Sequence, residues 1–190
     1  MTIIIPADPI PIRVRLTPVT ASAILERPFS FAQDSEQHTG ERWLLEVEWP
    51  IMQQEFGGPI ARAFAQAGRH DTFTFAIGIP ARGTATTFAP SGGGGTKNLA
   101  LSSGISGTLK DGDYIEVYDG SDKRLHIVTS DVADSATTIP VWPTLRGTPA
   151  ASVAVGASAR GTFRLREDGL PIDIITPILY DIIIQAVEAL

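Results

Sequence analysis

Hydrophobic and polar positions alternate most clearly between residues 41 and 79, where they spell strand, helix, strand. Trp43, Leu45, Val47 and Trp49 fall on one side of the alternation, with Arg42, Glu46 and Glu48 on the other. That two-residue period marks a strand with one dry face and one wet face. In the next segment Met52, Phe56, Ile60 and Phe64 recur at every fourth position, which stacks them on one face of a helix. Gly57-Gly58-Pro59 interrupts this segment. Proline removes a backbone donor and glycine costs backbone entropy, so the pattern predicts a kink or two short helices. Gly68 stands where a C-cap would end the helix. Alternation resumes over residues 71–79, with Phe73, Phe75, Ile77 and Ile79 opposite Thr72, Thr74 and Ala76. Two amphipathic strands and one amphipathic helix must share a core. Trp43, Trp49, Phe64, Phe73 and Phe75 are candidates for that core or for a subunit contact.

Upstream, Ile10, Ile12, Val14 and Leu16 alternate with Pro11, Arg13 and Arg15. This fits an edge strand, where proline is tolerated. Residues 21–25 read as a further strand and Phe29-Ser30-Phe31-Ala32 as a short apolar one, while residues 33–39 are polar and read as a turn ending at Gly40. Downstream, residues 80–97 are rich in proline, glycine, threonine and serine and include Gly92-Gly93-Gly94-Gly95. That composition predicts a flexible connection and a boundary. Short strand signals follow at residues 99–101, 113–118, 124–130, 137–141, 152–155 and 161–165, with hairpin-turn chemistry in Asp119-Gly120-Ser121-Asp122-Lys123. Such spacing suggests a small β-barrel or sandwich. Residues 178–190 fit both a helical and a strand period, and the stiff run Ile182-Ile183-Ile184 favours the strand.

Length and composition narrow this picture. The 190 residues suffice for one domain, or a small one carrying an insertion, and 43% hydrophobic with 19% charged residues is a globular composition. The absence of cysteine removes disulfides and thiolate chemistry. A net charge of −6 argues against a protein that holds nucleic acid by counterion release, though not against one that nucleic acid passes. Met1-Thr2-Ile3-Ile4-Ile5-Pro6 lacks the basic flank and long apolar core of a signal peptide. The apolar tail is broken by Asp173, Pro177, Asp181 and Glu188, so no membrane span is expected.

Motifs that carry chemistry fail on inspection. In the glycine run, Lys97 is followed by Asn98, and no Gly-Lys pair opens a helix as a phosphate loop requires. Counted as EF-hand loops, Asp111 and Asp119 place Glu116 and Arg124 at the sixth position, where glycine is needed. His38, His70 and His126 lack ligand spacing, and Ser106 lies outside any nucleophile elbow. Trp43, Trp49 and Trp142 could form a sugar-stacking platform, but the first two share the dry strand face. No catalytic, cofactor or metal site is expected, and the chain reads as a non-enzyme.

The order of several short motifs resembles the distal tail proteins of long-tailed, siphovirus-type phages and phage-like gene transfer particles. The likeness rests on Pro28-Phe29-Ser30, Gln37, Gly40-Glu41-Arg42-Trp43 and Pro50-Ile51-Met52, then Gly68-Arg69 leading to Thr72-Phe73-Thr74-Phe75. It continues in Leu109-Lys110-Asp111-Gly112-Asp113-Tyr114-Ile115, Ile139-Pro140-Val141-Trp142-Pro143-Thr144-Leu145-Arg146, Gly161-Thr162-Phe163-Arg164-Leu165 and Ala186-Val187-Glu188-Ala189-Leu190. The chain departs from the family at Gly57-Gly58-Pro59, where unbroken helix is expected, and at Asp111-Gly112, which replaces a more apolar pair.

The resemblance implies a mainly β fold with one short helix. A tail-tube-like β-sandwich or barrel of residues 1–81 plus 161–190 would carry an inserted small β-barrel of residues 82–160. It also implies a virion structural protein of the tail tip, made in the host cytoplasm, that forms a hexameric ring. Its implied neighbours are the tail tube protein above, the hub or baseplate protein below, and the tape measure protein as a further candidate. Genomic DNA would pass through the ring without specific binding, and nothing would insert into a membrane. Glu46 and Glu48 are then candidates for an acidic channel wall, or else lie on an outer solvated face. The alternative function is a carbohydrate- or receptor-binding β-module of a tail tip.

Overall fold

The strongest alternation in the sequence forms the middle of a sheet. The computed structural model describes residues 2–5, 9–26, 33–119, 122–167, 172–176 and 179–189, and in it the chain is mainly β with one α-helix. The first part comprises β1 (Thr2–Ile4), β2 (Arg13–Glu26), β3 (Gln33–Glu48), β4 (Met52–Gln53), α1 (Gln54–Ala67) and β5 (Thr72–Ala76). Next come β6 (Thr87–Phe88), β7 (Pro90–Gly92), β8 (Asn98–Leu101), β9 (Tyr114–Asp119), β10 (Asp122–Val128), β11 (Thr138–Trp142) and β12 (Pro149–Val155). The chain closes with β13 (Arg160–Leu165), β14 (Ile172–Thr176) and β15 (Leu179–Glu188).

Two sheets result. The first runs β1-β5-β13-β15-β3-β2, with β14 and β4 also paired to β15; β1–β5 is parallel and its other described pairs are antiparallel. The second runs β6-β12-β9-β10-β11-β8-β7 and contains every strand between β5 and β13. Those two flanking strands pair directly, Phe75 opposite Gly161 and Phe73 opposite Phe163. The chain therefore leaves the first sheet and returns beside its own point of departure. Two carboxylates fasten the crossing. Asp113 accepts the backbone N–H groups of Arg82 at 2.7 Å, Gly83 at 3.0 Å and Lys110 at 2.8 Å. Glu116 accepts the N–H of Arg160 at 3.1 Å, where the chain returns.

The C-terminal segment is a strand, as the isoleucine run favours. The first core gathers Trp43, Leu45 and Val47 from β3 with Trp49 just past its end, Phe73 and Phe75 from β5, Phe163 and Leu165 from β13, and Ile182, Ile184 and Ala186 from β15. Helix α1 closes it, and Phe64 links Trp49 (centroids 6.0 Å apart) to Phe73 (5.3 Å, edge to face). All five aromatic core candidates are buried within the chain itself. Burial of this apolar area drives the fold, at roughly 25 cal/mol per Å2 removed from water.

Several expectations need correction. Residues 33–39 are not a turn but the first half of β3, paired with β2 from Glu26–Gln33 to Ser22–Gln37. Among the described strands this stretch pairs with β2 alone. A two-stranded arm is held by backbone hydrogen bonds and needs no buried face, so polar sequence can form it without the alternation that marks a core strand. Residues 10–16 and 21–25, read as separate strands, belong to one element from Arg13 onward. The short strand read at residues 29–32 lies outside the described residues.

Helix α1 runs unbroken through Gly57-Gly58-Pro59. The hydrogen bond that Pro59 forgoes is to the carbonyl of Glu55, and both residues are on the exposed side, where water substitutes. Met52 is buried but precedes the helix, and Phe56 is exposed. The first helical turn instead meets β15 through Gly57, where an added Cβ would lie 2.6 Å from the Cβ of Tyr180. Gly68 caps the helix as expected, its N–H reaching the carbonyl of Phe64 at φ 51°. Ile79 lies beyond β5 and is exposed.

The glycine run is not a loose connection. Gly95 donates its N–H to the carbonyl of Leu145 at 2.8 Å, and a Cβ on Gly94 would sit 1.8 Å from the carbonyl oxygen of Gly147. Glycine is required there because two backbones touch.

Candidate functional site

Two regions concentrate polar side chains: the joint between the sheets, and the face of the first sheet turned away from its core. The joint is built around Trp43. Its indole Nε1–H donates to the carbonyl of Leu125 at 2.8 Å, and its ring meets Trp142 edge to face at 4.6 Å. Leu125 belongs to β10 of the second sheet yet is fully buried in the first core, with Tyr114, Ile127 and Trp142 packed alongside. The two sheets therefore share apolar surface as well as covalent crossings. Trp43 and Trp49 are buried and Trp142 is half-buried against Trp43, so the three rings make no sugar-stacking platform.

Charged groups surround that apolar contact. Glu41 accepts from the Lys97 ammonium at 2.6 Å and from the Thr144 N–H and hydroxyl at 2.7 and 2.9 Å. Burial pushes its carboxyl up, but Lys97 and Thr144 together pull it below the ordinary value. Arg146 donates to the carbonyl of Glu41 at 2.9 Å, and Arg124 to the carbonyl of Ala189 at 2.6 Å. Glu188 accepts the N–H of Trp43 at 3.2 Å through one oxygen, while the other is buried with no partner among the described residues. Burial drives its carboxyl up to about 7 despite the Trp43 N–H and the positive charges of Arg124 and Arg146. His126 is wholly buried, which lowers it to about 4. It is therefore neutral at pH 7, and its Nδ1–H donates to the carbonyl of Pro143 at 2.9 Å.

The outer face of the first sheet follows the strand register. One row across it reads Arg13, Glu48, Ile183; the next Arg15, Glu46, Gln185; the next Thr17, Leu44, Val187, Arg164. Glu46 and Glu48 thus stand where the alternation puts them, on the wet side. Glu48 is 3.9 Å from Arg13, and Glu46 accepts from Gln185 at 3.5 Å. They do not form an acidic surface of their own. Arg13 and Arg15 lie opposite them in register, and Arg42, Arg164 and Arg166 gather farther along the same face. A shallow groove of about 530 Å3 opens there, floored by Leu44 and Val187 and rimmed by Arg42, Arg69, His70, Arg164 and Arg166.

The sequence signal for this groove existed but was weak. Arg164 and Arg166 are two apart at the end of β13 and so share a face, yet Arg42 and Arg69 reach the same place only through the pairing of β3 with β15 and the turn after α1. The joint was less legible still, since Glu41, His126 and Glu188 fall on strands that the alternation alone would not bring together. No protein-family model matches the chain, and no curated protein matches it.

Proposed function

We propose that this chain is a structural protein of a phage-like tail tip, forming a ring, hexameric by the family likeness, that joins tail tube to hub and surrounds a channel for DNA. The motif order that resembles distal tail proteins motivates this reading. The observation that supports it most is the open edge of the first sheet. Among the described strands, β2 ends that sheet on one side and β1 ends it on the other. An edge of 14 residues such as β2 is a template for pairing with another chain unless it is protected. Two free edges on opposite sides allow head-to-tail contact between copies, and a head-to-tail contact whose rotation closes makes a ring. Residues 82–160 act in this reading as an inserted domain, clamped at its two ends by Asp113 and Glu116.

The test is mass by light scattering across a concentration series, with electron microscopy of the most concentrated sample. Rings whose mass is a fixed multiple of the chain support the proposal. A strictly monomeric protein that is also absent from assembled tail tips overturns it.

A further inference from the structure

The arginine groove on the outer face of the first sheet is unexpected in a chain of net charge −6. Its lining contains four arginines and a histidine and no carboxylate. Arg42, Arg164 and Arg166 make no ion pair among the described residues, so three guanidinium groups converge there with no carboxylate in the groove lining, while Arg69 has an interaction of its own. Like charges gathered on a sheet surface repel one another, and an anion between them removes that cost. The floor of Leu44 and Val187 excludes water beneath a bound group, which strengthens the attraction above it.

We propose that this groove binds phosphate groups. Guanidinium is planar and permanently charged, and its forked donors match phosphate oxygens in pairs. Three guanidinium groups on two segments offer more donors than the two oxygens of one carboxylate can accept, whereas linked phosphates present oxygens along a line. Arg164 on β13 and Arg166 just past its end, where its N–H still bonds the carbonyl of Gln185, stand two residues apart, about 6.6 Å at an extended rise of about 3.3 Å, so each can hold a separate phosphate of one chain. Arg42 lies across the floor from them, and Arg69 and His70 close the end after α1. The ligand is thus a linked phosphate chain, either a nucleic-acid strand or inorganic polyphosphate. This inference is independent of the ring, since every residue in it belongs to one chain.

The experiment uses the full chain with two probes, inorganic tripolyphosphate and a short fluorescent single-stranded oligonucleotide, followed by calorimetry and anisotropy over a salt series. The double variant Arg164→Gln/Arg166→Gln alters two exposed side chains, and its melting curve verifies that the fold is intact. The wild type should bind at least one probe at low salt, with the double variant about tenfold or more weaker. For the oligonucleotide, the slope of log K against log salt should shrink by roughly 0.7 for each phosphate that the variant leaves without a guanidinium. Tighter binding of the oligonucleotide identifies a nucleic-acid strand, and equal or tighter binding of tripolyphosphate identifies inorganic phosphate chains. The proposal is overturned if neither probe binds, if the double variant binds as the wild type does, or if a glutamate-rich peptide outcompetes both. The control Arg62→Gln, an exposed arginine on α1, should change nothing.

Discussion

Glu188→Gln should change how stability depends on pH, and it should do so by exposing an opposing effect of His126. Glu188 titrates near 7 in the folded chain against an ordinary 4.5. Between those values the folded state holds a proton that the unfolded state has lost. Its contribution is full below 4.5 and disappears as pH rises through 7. His126 behaves in the opposite sense, at about 4 when folded against an ordinary 6.5. Its contribution is full above 6.5 and disappears as pH falls through 4. Each effect has a slope of about 1.4 kcal/mol per pH unit, and the two signs cancel over the shared window from 4.5 to 6.5.

Glutamine keeps an oxygen to accept the N–H of Trp43 and removes the titration. The variant should then lose on the order of 3 kcal/mol on going from pH 6.5 to 4.5, where the wild type is nearly level. Above pH 7 it should be the more stable of the two. Urea unfolding at a series of pH values, followed by tryptophan fluorescence, measures the difference between the two proteins, so titrations common to both drop out. Parallel stability curves for wild type and variant would show that Glu188 is not held protonated by burial, and the reasoning would fail. His126→Gln is the complement, and its stability should fall as pH rises from 4.5 to 7.

Two further predictions concern how the parts are joined. Gly57→Ala would stabilise an ordinary helix interior by about 1 kcal/mol, but with a Cβ placed 2.6 Å from Tyr180 it should destabilise by about 1–3 kcal/mol in urea unfolding; a gain in stability would deny the contact. Replacing residues 82–160 by a short Gly/Ser linker should leave a remainder that unfolds cooperatively, with the fluorescence of Trp43 shifted to the red because Leu125 and Trp142 no longer cover it. Loss of all cooperative unfolding would show that the first sheet cannot stand without the second.

Much of the fold was legible because burial writes a period into the sequence. The strands around Trp43–Trp49 and Phe73–Phe75 face a core on one side only, and their alternation says so. The arm formed by residues 33–39 and the end of β2 is joined by backbone pairing to no other described strand, so its sequence needs no alternation to distinguish strand from loop. The glycine run misled for a related reason. A glycine that permits freedom and a glycine that permits contact look identical in a sequence, and only the 1.8 Å approach of Gly147 to a Cβ on Gly94 separates them. Helical spacing placed Ile60 and Phe64 correctly but could not reveal that Tyr180 occupies the space over Gly57, which leaves Phe56 outside.

Charge shows the same gap between a sum and a place. The chain carries 21 acidic against 15 basic side chains, which suggests a wall that would repel DNA. Several of those carboxylates are spent inside the fold: Glu41, Asp113, Glu116 and Glu188 are buried and each accepts a backbone N–H. The arginines are distributed differently. Arg13, Arg15, Arg42, Arg164 and Arg166 share one sheet face, with Glu48 and Glu46 in register beside Arg13 and Arg15. The field at a surface is set by the charges within about a Debye length, some 8 Å at physiological salt, and not by the total. A channel lined by this face would therefore meet phosphate with guanidinium. Replacing Glu46 and Glu48 by lysine would then deepen an existing grip on DNA rather than reverse a repulsion, and passage through such a ring would slow most at low salt.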